Sequence, residues 1–277
     1  MKNLTYIISF LLMFTNVFAS PSTFTPFYGS TTFSNSEKKE AKNYGVYYKG
    51  ENFKTVVEKQ AIKYNNDSNS SNFTQTNYSV QYNIDIENDI DVYTTLNYIQ
   101  SSNTQYSGIY SVLLGSKKKF DSFTFGLNLS YSDYNNVSVK SVKQISPYIG
   151  FSFGDYNSLM GNFYTKIIYD TISLDSNLPG LKKDYSTYSV SLTHSKRNFQ
   201  NFVGYWFKDH LFALRDDGLT IQNFEEIYEN ALSISSKYNF SPFTSLQISF
   251  IQKDFHVIGQ QTKSKLKNTM LFLYSKF

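Results

Sequence analysis

The 277-residue sequence contains no cysteine. That excludes a disulfide framework and any thiolate metal site. Arginine is nearly missing as well: Arg197 and Arg215 are the only two among 26 basic residues. Lysine supplies the remainder, alongside abundant Asn, Tyr, Ile and Phe, a bias that an AT-rich genome produces unaided. The net charge of +4 is therefore no sign of nucleic-acid binding, which gathers Arg and Lys on one face. Beyond residue 19 no window approaches 18 consecutive apolar residues, so no transmembrane helix is expected. Charged residues make up only 17% of the chain.

Aromatic side chains are plentiful instead. They form 18% of the sequence, with 24 Tyr and 25 Phe, although the mean hydropathy is negative. Aromatic richness without overall hydrophobicity suits a sheet with one polar face and one apolar face rimmed by rings. The first residues read as an export signal: Lys2 gives a positive start, Leu4 to Phe18 is apolar, and Val17-Phe18-Ala19 offers a cleavage site before Ser20. The stretch is too short to span a bilayer as a helix. Residues 1–19 are expected to be removed, leaving residues 20–277 as one domain.

Period-two alternation dominates from end to end. In "SFTFGLNLSYSD" Phe123, Phe125, Leu127, Leu129 and Tyr131 share one face, and Ser122, Thr124, Gly126, Asn128 and Ser130 share the other. "YSVQYNIDI", "VSVKSVKQISPYIGFSF", "TYSVSLTH", "ALSISSKY" and "SLQISFIQK" alternate likewise. No stretch carries a 3.6-residue apolar stripe, so the chain is all-β. Several runs exceed the about 5–6 residues usual for strands of soluble proteins and suit a tilted membrane strand of about 9–11 residues. Pro147 lies inside one run and implies a bulge or a local break in pairing.

Connections alternate between short ones (87–89, 116–119, 155–157, 196–198, 239–242) and longer polar ones (65–72, 101–105, 133–136, 175–184, 216–226, 257–263). That is the layout of an antiparallel up-and-down transmembrane β-barrel. Counting back from the C-terminus gives twelve strands as far as residues 53–64. Adding residues 24–33 and 44–49 as a hairpin gives fourteen, which the "YYKGENF" turn favours. In the twelve-stranded alternative, residues 20–50 form a plug or an unpaired segment. The longest outer loops are about ten residues on this reading, and no loop long enough to fold into the lumen is expected.

The last ten residues, "NTMLFLYSKF", alternate apolar and polar residues and close on Phe277. This ending, joined to the export signal and the alternating runs, resembles Gram-negative bacterial outer-membrane barrel proteins, with a layout similar to monomeric porins of about 14 strands. The resemblance implies that the barrel-assembly machinery recognises the strand ending at Phe277, with Ser275 departing from the usual aromatic or aliphatic residue. It also implies outer-membrane lipid and small hydrophilic solutes as the other partners, and passive transport as the role.

The scarce reactive residues give no catalytic site, and neither a metal nor a cofactor is expected. His194 and Ser195 are adjacent on one strand and so point to opposite faces. Asp209-His210 and Asp216-Asp217, which should climb to the outer rim, are each contiguous and cannot polarise one water. There is no phosphate-binding glycine loop. The expected lumen face is mostly neutral, with Lys140, Lys166, Lys237 and Lys253 against Asp85, Asp170 and Glu229. Lysines in a water-filled pore favour anions, but mixed signs and salt leave only a mild preference. The reading is a porin-like channel with weak anion preference. The alternatives are a non-conducting barrel that binds a partner or specific ligand, and a hydrolase at the rim.

Overall fold

The computed structural model describes residues 22–277 apart from residues 69, 87–88, 135–138, 177–180, 223 and 261. Residues 1–19, read above as the export signal, lie outside the described residues. The strands are β1 (Thr23–Ser34), β2 (Lys38–Lys49), β3 (Phe53–Tyr64), β4 (Phe73–Ile86), β5 (Ile90–Ser101), β6 (Ile109–Phe120), β7 (Phe123–Asp133) and β8 (Val139–Asp155). They continue as β9 (Gly161–Ser176), β10 (Asp184–Lys196), β11 (Phe199–Phe207), β14 (Glu226–Asn239), β15 (Thr244–Val257) and β16 (Ser264–Lys276). These fourteen form a closed antiparallel barrel in which each strand pairs with its neighbour in sequence and β1 closes on β16. Two further short strands, β12 (Leu214–Arg215) and β13 (Thr220–Ile221), pair only with each other.

The barrel is inside out compared with a soluble one. Along β7, Phe123, Phe125, Leu127 and Leu129 are each about 40–50% exposed, and Ile149, Phe151 and Val190 on neighbouring strands are 37–40% exposed. The alternating residues are small or polar and buried: Ser111 is 1% exposed, Gln81 1%, Ser146 4% and Ser189 5%. A wall with apolar side chains outward and hydroxyls and amides inward is stable only when lipid covers its outside. Rings concentrate near the strand ends. On the short-turn side Phe151, Phe153, Phe163 and His194 form a chain of contacts 4.7–5.7 Å apart. Toward the other end Tyr28 faces Tyr44 across β1–β2, and Tyr78 faces Tyr98 across β4–β5.

Fourteen strands rather than twelve follow from residues 23–49 pairing as the β1–β2 hairpin, so these residues form wall and not plug. Residues 53–64 are β3 as expected. The Pro147 expectation resolves as a break without a bulge: β8 loses its partners on β9 at Ser146 and Pro147, yet Ile145 and Tyr148 resume the same register. Proline has no N–H to give to that ladder.

β2 begins at Lys38 rather than residue 44, the turn read at 155–157 spans 156–160, and two further connections differ in ways that bear on the lumen and its charges. The turn expected at 116–119 lies at Asp121 and Ser122, because Lys117 to Lys119 continue β6. Lys117 is held there by Asp91 at 2.8 Å, and Lys118 lies 4.8 Å from the Phe120 ring centroid. The connection read as 216–226 is in fact residues 208–225, and it does not stay at the rim.

Candidate functional site: a half-filled lumen

Residues 208–225 leave β11 and turn into the barrel. The inward bend uses left-handed backbone at Lys208 (φ 66°) and Phe212 (φ 53°). His210 N donates to Tyr228 O at 2.9 Å and Tyr228 N to His210 O at 3.0 Å. This bridge ties the segment to β14 before it crosses the lumen. Leu211, Phe212 and Ala213 are fully buried. They pack with Tyr93, Leu113, Tyr134, Val142, Ile172 and Leu174 from the β5–β9 wall. Sequence alternation gave no sign of this cluster, because its wall residues sit singly among polar neighbours on the lumen face.

Polar clamps hold the tip. Gln81 Nε2 and Thr95 Oγ1 donate to Asp217 O at 3.1 and 2.9 Å. Asn97 Nδ2 donates to Gly218 O at 2.8 Å, and Ser79 Oγ to Leu219 O at 3.1 Å. Gln144 takes Leu214 N on its Oε1 at 2.8 Å and donates Nε2 to Leu214 O at 3.2 Å. Arg215 meets Asp170 at 2.7 Å with both side chains under 10% exposed. The strand side chains thus supply the hydrogen bonds that a segment crossing a lumen would otherwise leave unmade. Gly218, with φ +87°, lies where an added Cβ would be only 3.1 Å from Leu113 and Thr95 side-chain carbons. The turn needs glycine on both counts.

The segment fills one half of the lumen and leaves the other half as a cavity of about 840 Å³. Its walls are β1–β3 and β14–β16, with Gln75 and Asn77 from β4, residues from β10 and β11, and the inward segment itself. Lining groups are largely neutral and polar, among them Thr25, Asn43, Gln60, Ser233, Gln247 and Asn268, with Phe27, Tyr47, Phe272 and Tyr274 between them. At the short-turn end the cavity reaches Thr23, the first residue of β1, and Lys49 and Lys276, the last residues of β2 and β16.

At the other end an aromatic cluster narrows it. Phe224 packs edge-on to Tyr106 at 5.4 Å and to Phe73 at 6.3 Å, while Tyr106 stacks on Phe73 at 5.6 Å. Within the cluster Lys38 Nζ meets Glu226 Oε1 at 2.6 Å and lies 3.6 Å from the Phe224 ring centroid. Tyr228 donates its hydroxyl to Glu226 Oε2 at 2.6 Å.

The charges expected on the lumen face divide into four groups. Lys237 and Lys253 line the cavity, over the rings of Tyr274 at 3.8 Å and Tyr228 at 4.7 Å. Lys166 and Asp170 face inward but are engaged by the inward segment, through Asp217 at 3.7 Å and Arg215 respectively. Asp85 lies at the turn end of β4 opposite Asp91. Lys140 and Glu229 both leave the lumen face, each at a break in register: Val139/Ser141 on β8 and Tyr228/Asn230 on β14. A bulge inserts one residue and reverses the faces beyond it. Lys140 is exposed while Val139 is buried, and Glu229 pairs with Lys263 at 2.7 Å and faces His256 at 3.4 Å.

Missed from sequence were the cavity-lining Lys38, Lys49 and Glu58, because β2 and β3 carry charge on both faces. Glu58 accepts from Asn43 Nδ2 at 2.7 Å and lines the cavity.

His194, at the short-turn end, stacks on Phe163 and contacts Met160 O at 2.9 Å. His210 is 1% exposed; burial, and then the nearby Arg215 and Lys253, push its imidazole well below its ordinary pKa. No group of three His, Asp or Glu side chains able to hold a metal occurs among the described residues. Phe277 exchanges backbone hydrogen bonds with Ser22 at 2.9 and 3.2 Å, extending the β1–β16 seam.

The fold is a closed fourteen-strand antiparallel β-barrel of the kind found in bacterial outer-membrane proteins. No protein-family model matches the sequence, and no curated protein does. Solved structures do share the architecture. The Ralstonia pickettii toluene transporter TbuX aligns with a TM-score of 0.54 at 10% identity, over 93% of this chain and 90% of its own. The monoaromatic hydrocarbon channel CymD aligns with a TM-score of 0.53 at 12% identity, over 93% and 89%. The Acinetobacter baumannii outer membrane protein Omp33 gives 0.52 at 9% identity, over 93% and 99%. At such identities the likeness is one of fold.

Proposed function

We propose that this protein is an outer-membrane channel for passive diffusion of small hydrophilic solutes, with a weak preference for anions and no catalytic role. The carrying observation is the half-lumen cavity of about 840 Å³ that reaches the short-turn end of the barrel between walls of hydroxyls and amides. Such walls can replace part of a solute's hydration at each step without holding it. TbuX and CymD bear the names of carriers of aromatic hydrocarbons. Here the neutral polar lining supports water-soluble cargo instead. The anion preference rests on Lys49, Lys237, Lys253 and Lys276 lining the cavity against Glu58 and Asp216, with Glu226 already neutralised by Lys38.

A second reading has one observation in its favour. The Phe33, Phe73, Tyr106 and Phe224 cluster with its buried ion pair closes down the outer end, as a barrel that is shut at rest requires. Purified protein in planar bilayers separates the two. Steps of conductance without any added ligand support the open channel, and silent bilayers over protein shown to be folded support the shut barrel.

A further inference from the structure

On the outward face the sheet is not uniform. Across β7 and β8 the outward residues stay apolar over most of the strand length, from Phe123 to Tyr131 and from Ile145 to Phe153. Across β16, β1, β2 and β3 the apolar stretch is shorter. Phe24, Pro26 and Tyr28 on β1 give way to Ser30, Thr32 and Ser34, and Tyr48, Val46 and Tyr44 on β2 give way to Lys42.

Alternation fixes the direction of three lysines there. Lys42 lies between buried Ala41 and Asn43, Lys59 between the cavity-lining Glu58 and Gln60, and Lys267 between the cavity-lining Leu266 and Asn268. All three are exposed and point away from the lumen.

Register brings them together over β1. Lys42 is opposite Ser30, and Lys267 is opposite Thr32. The two lysines thus stand on either side of β1, about 10 Å apart sideways at strand spacing. Lys59 faces Tyr44, while Lys42 faces Ala61, which makes Lys59 and Lys42 diagonal neighbours at about 7–8 Å. Between Lys42 and Lys267 lie the hydroxyls of Ser30 and Thr32, with Glu40 opposite Thr32 on β2.

The carboxylates nearby are already engaged: Glu40 by Lys63 at 2.8 Å, Asp254 by Lys265 at 3.6 Å and Glu229 by Lys263 at 2.7 Å. Lys42, Lys59 and Lys267 have no ion pair among the described residues. Unpaired cations on a lipid-facing wall are costly unless something anionic meets them at the headgroup level. Tyr28 and Tyr44, 50% and 45% exposed, lie one step below Ser30 and Lys42 and level with Lys59, and mark that level, where tyrosine rings settle at membrane interfaces. A second copy of the chain is a poor occupant, because a two-fold contact would set these cations against themselves.

We propose that this slot, floored by Ser30 and Thr32 and walled by Lys42, Lys59 and Lys267, binds the phosphate-bearing headgroup of an anionic lipid in the leaflet around the barrel. Lysine ammoniums serve as point-charge phosphate partners, and the hydroxyls add short donors at the floor.

The test uses the full-length protein in detergent with diphosphorylated lipid A, and with phosphatidylcholine as the zwitterionic probe, read by native mass spectrometry. The slot variant carries Lys42→Gln, Lys59→Gln and Lys267→Gln. A matched variant carries Lys118→Gln, Lys182→Gln and Lys183→Gln, the same charge change elsewhere. The expected result is retention of lipid A over phosphatidylcholine, weakened about tenfold or more in the slot variant and unchanged in the matched one. Equal binding by all three proteins overturns the proposal, as does equal weakening in both variants. Displacement of lipid A by inorganic phosphate at equal concentration shows an anion site without lipid character and also overturns it. So does loss of an oligomer in the slot variant, which makes the wall an interface between copies. Should the slot variant not fold, wild-type protein decides through salt: lipid A retention falls as NaCl rises, and salt-independent retention rejects the slot.

Discussion

Lys38 and Glu226 are 188 positions apart in sequence, yet Nζ and Oε1 lie 2.6 Å apart inside the aromatic cluster at the outer end of the cavity. Removing one partner leaves a buried charge alone, at a cost of about 3–5 kcal/mol. Lys38→Met is therefore expected to loosen the Phe224–Tyr106–Phe73 contacts, with larger single-channel conductance and a lower melting temperature. Lys38→Met with Glu226→Gln should recover most of the stability. Equal melting of the single and double variants would show that the pair carries no such weight.

The inward segment is expected to set the conductance. Phe212→Ala removes a fully buried ring, a change that costs about 3–5 kcal/mol in a packed core. Since the fourteen-strand wall remains paired, the loss should appear as undocking of residues 208–225 rather than unfolding of the barrel. Bilayer recordings should show a higher conductance with greater open-channel noise, while heat-modifiability on gels stays as in wild type. An unchanged conductance would mean that solutes do not sense the segment.

His210 gives the docked segment a pH dependence whose sign is fixed. Its pKa is depressed in the folded state, so below the ordinary value of about 6.5 the undocked form binds a proton that the docked form refuses. Docking is fully stable above about 6.5 and weakens as pH falls below it toward the folded pKa. The groups facing His210 are Tyr228, stacked at 5.6 Å, and the cations Arg215 and Lys253, which oppose protonation further. Acidifying from pH 8 to pH 5 should raise the conductance of wild type, and His210→Phe should abolish most of that rise. Identical titrations of the two proteins would remove His210 from the account.

Selectivity should follow the lysines that line the cavity and not those held elsewhere. Lys237→Glu with Lys253→Glu is expected to reverse the sign of the reversal potential under a KCl gradient, from weakly anionic to cationic. Lys140→Glu, on the outward side of the β8 bulge, should leave it unchanged. A shift of equal size in Lys140→Glu would restore that residue to the pore and overturn the register at Val139/Ser141.

Strand count and the inside-out polarity were legible because each depends on one repeating quantity, the alternation of side chains. Residues 53–64 show this well, matching β3 end to end. The bulges beside Lys140 and Glu229 were not legible: a single inserted residue leaves the composition of a strand untouched and reverses what lies beyond it. Hidden for a different reason was the inward course of "KDHLFALRDDGLT". Its apolar Leu211 to Leu214 run looks like strand, and its partners, Leu113, Val142, Ile172 and Leu174, are apolar residues scattered over the lumen faces of three other strands. No local pattern records a contact assembled from that many separate stretches.

The clamps on Asp217 and Leu219 reach back 136 and 140 positions, to Gln81 and Ser79, and this has a consequence for the order in which the molecule is made. The segment hangs between β11 and β14, but its binding surface belongs to β4–β9. Its apolar stretch has nowhere to settle until those six strands are paired and brought round to face it. Contacts this distant form late, because the chain entropy of closing them is lost before they contribute anything. The barrel must therefore assemble around an unseated Leu211-Phe212-Ala213-Leu214, and seating it becomes a late step of maturation. A freshly closed barrel has a wide, wet interior, and only the finished one has the narrow half-lumen described above.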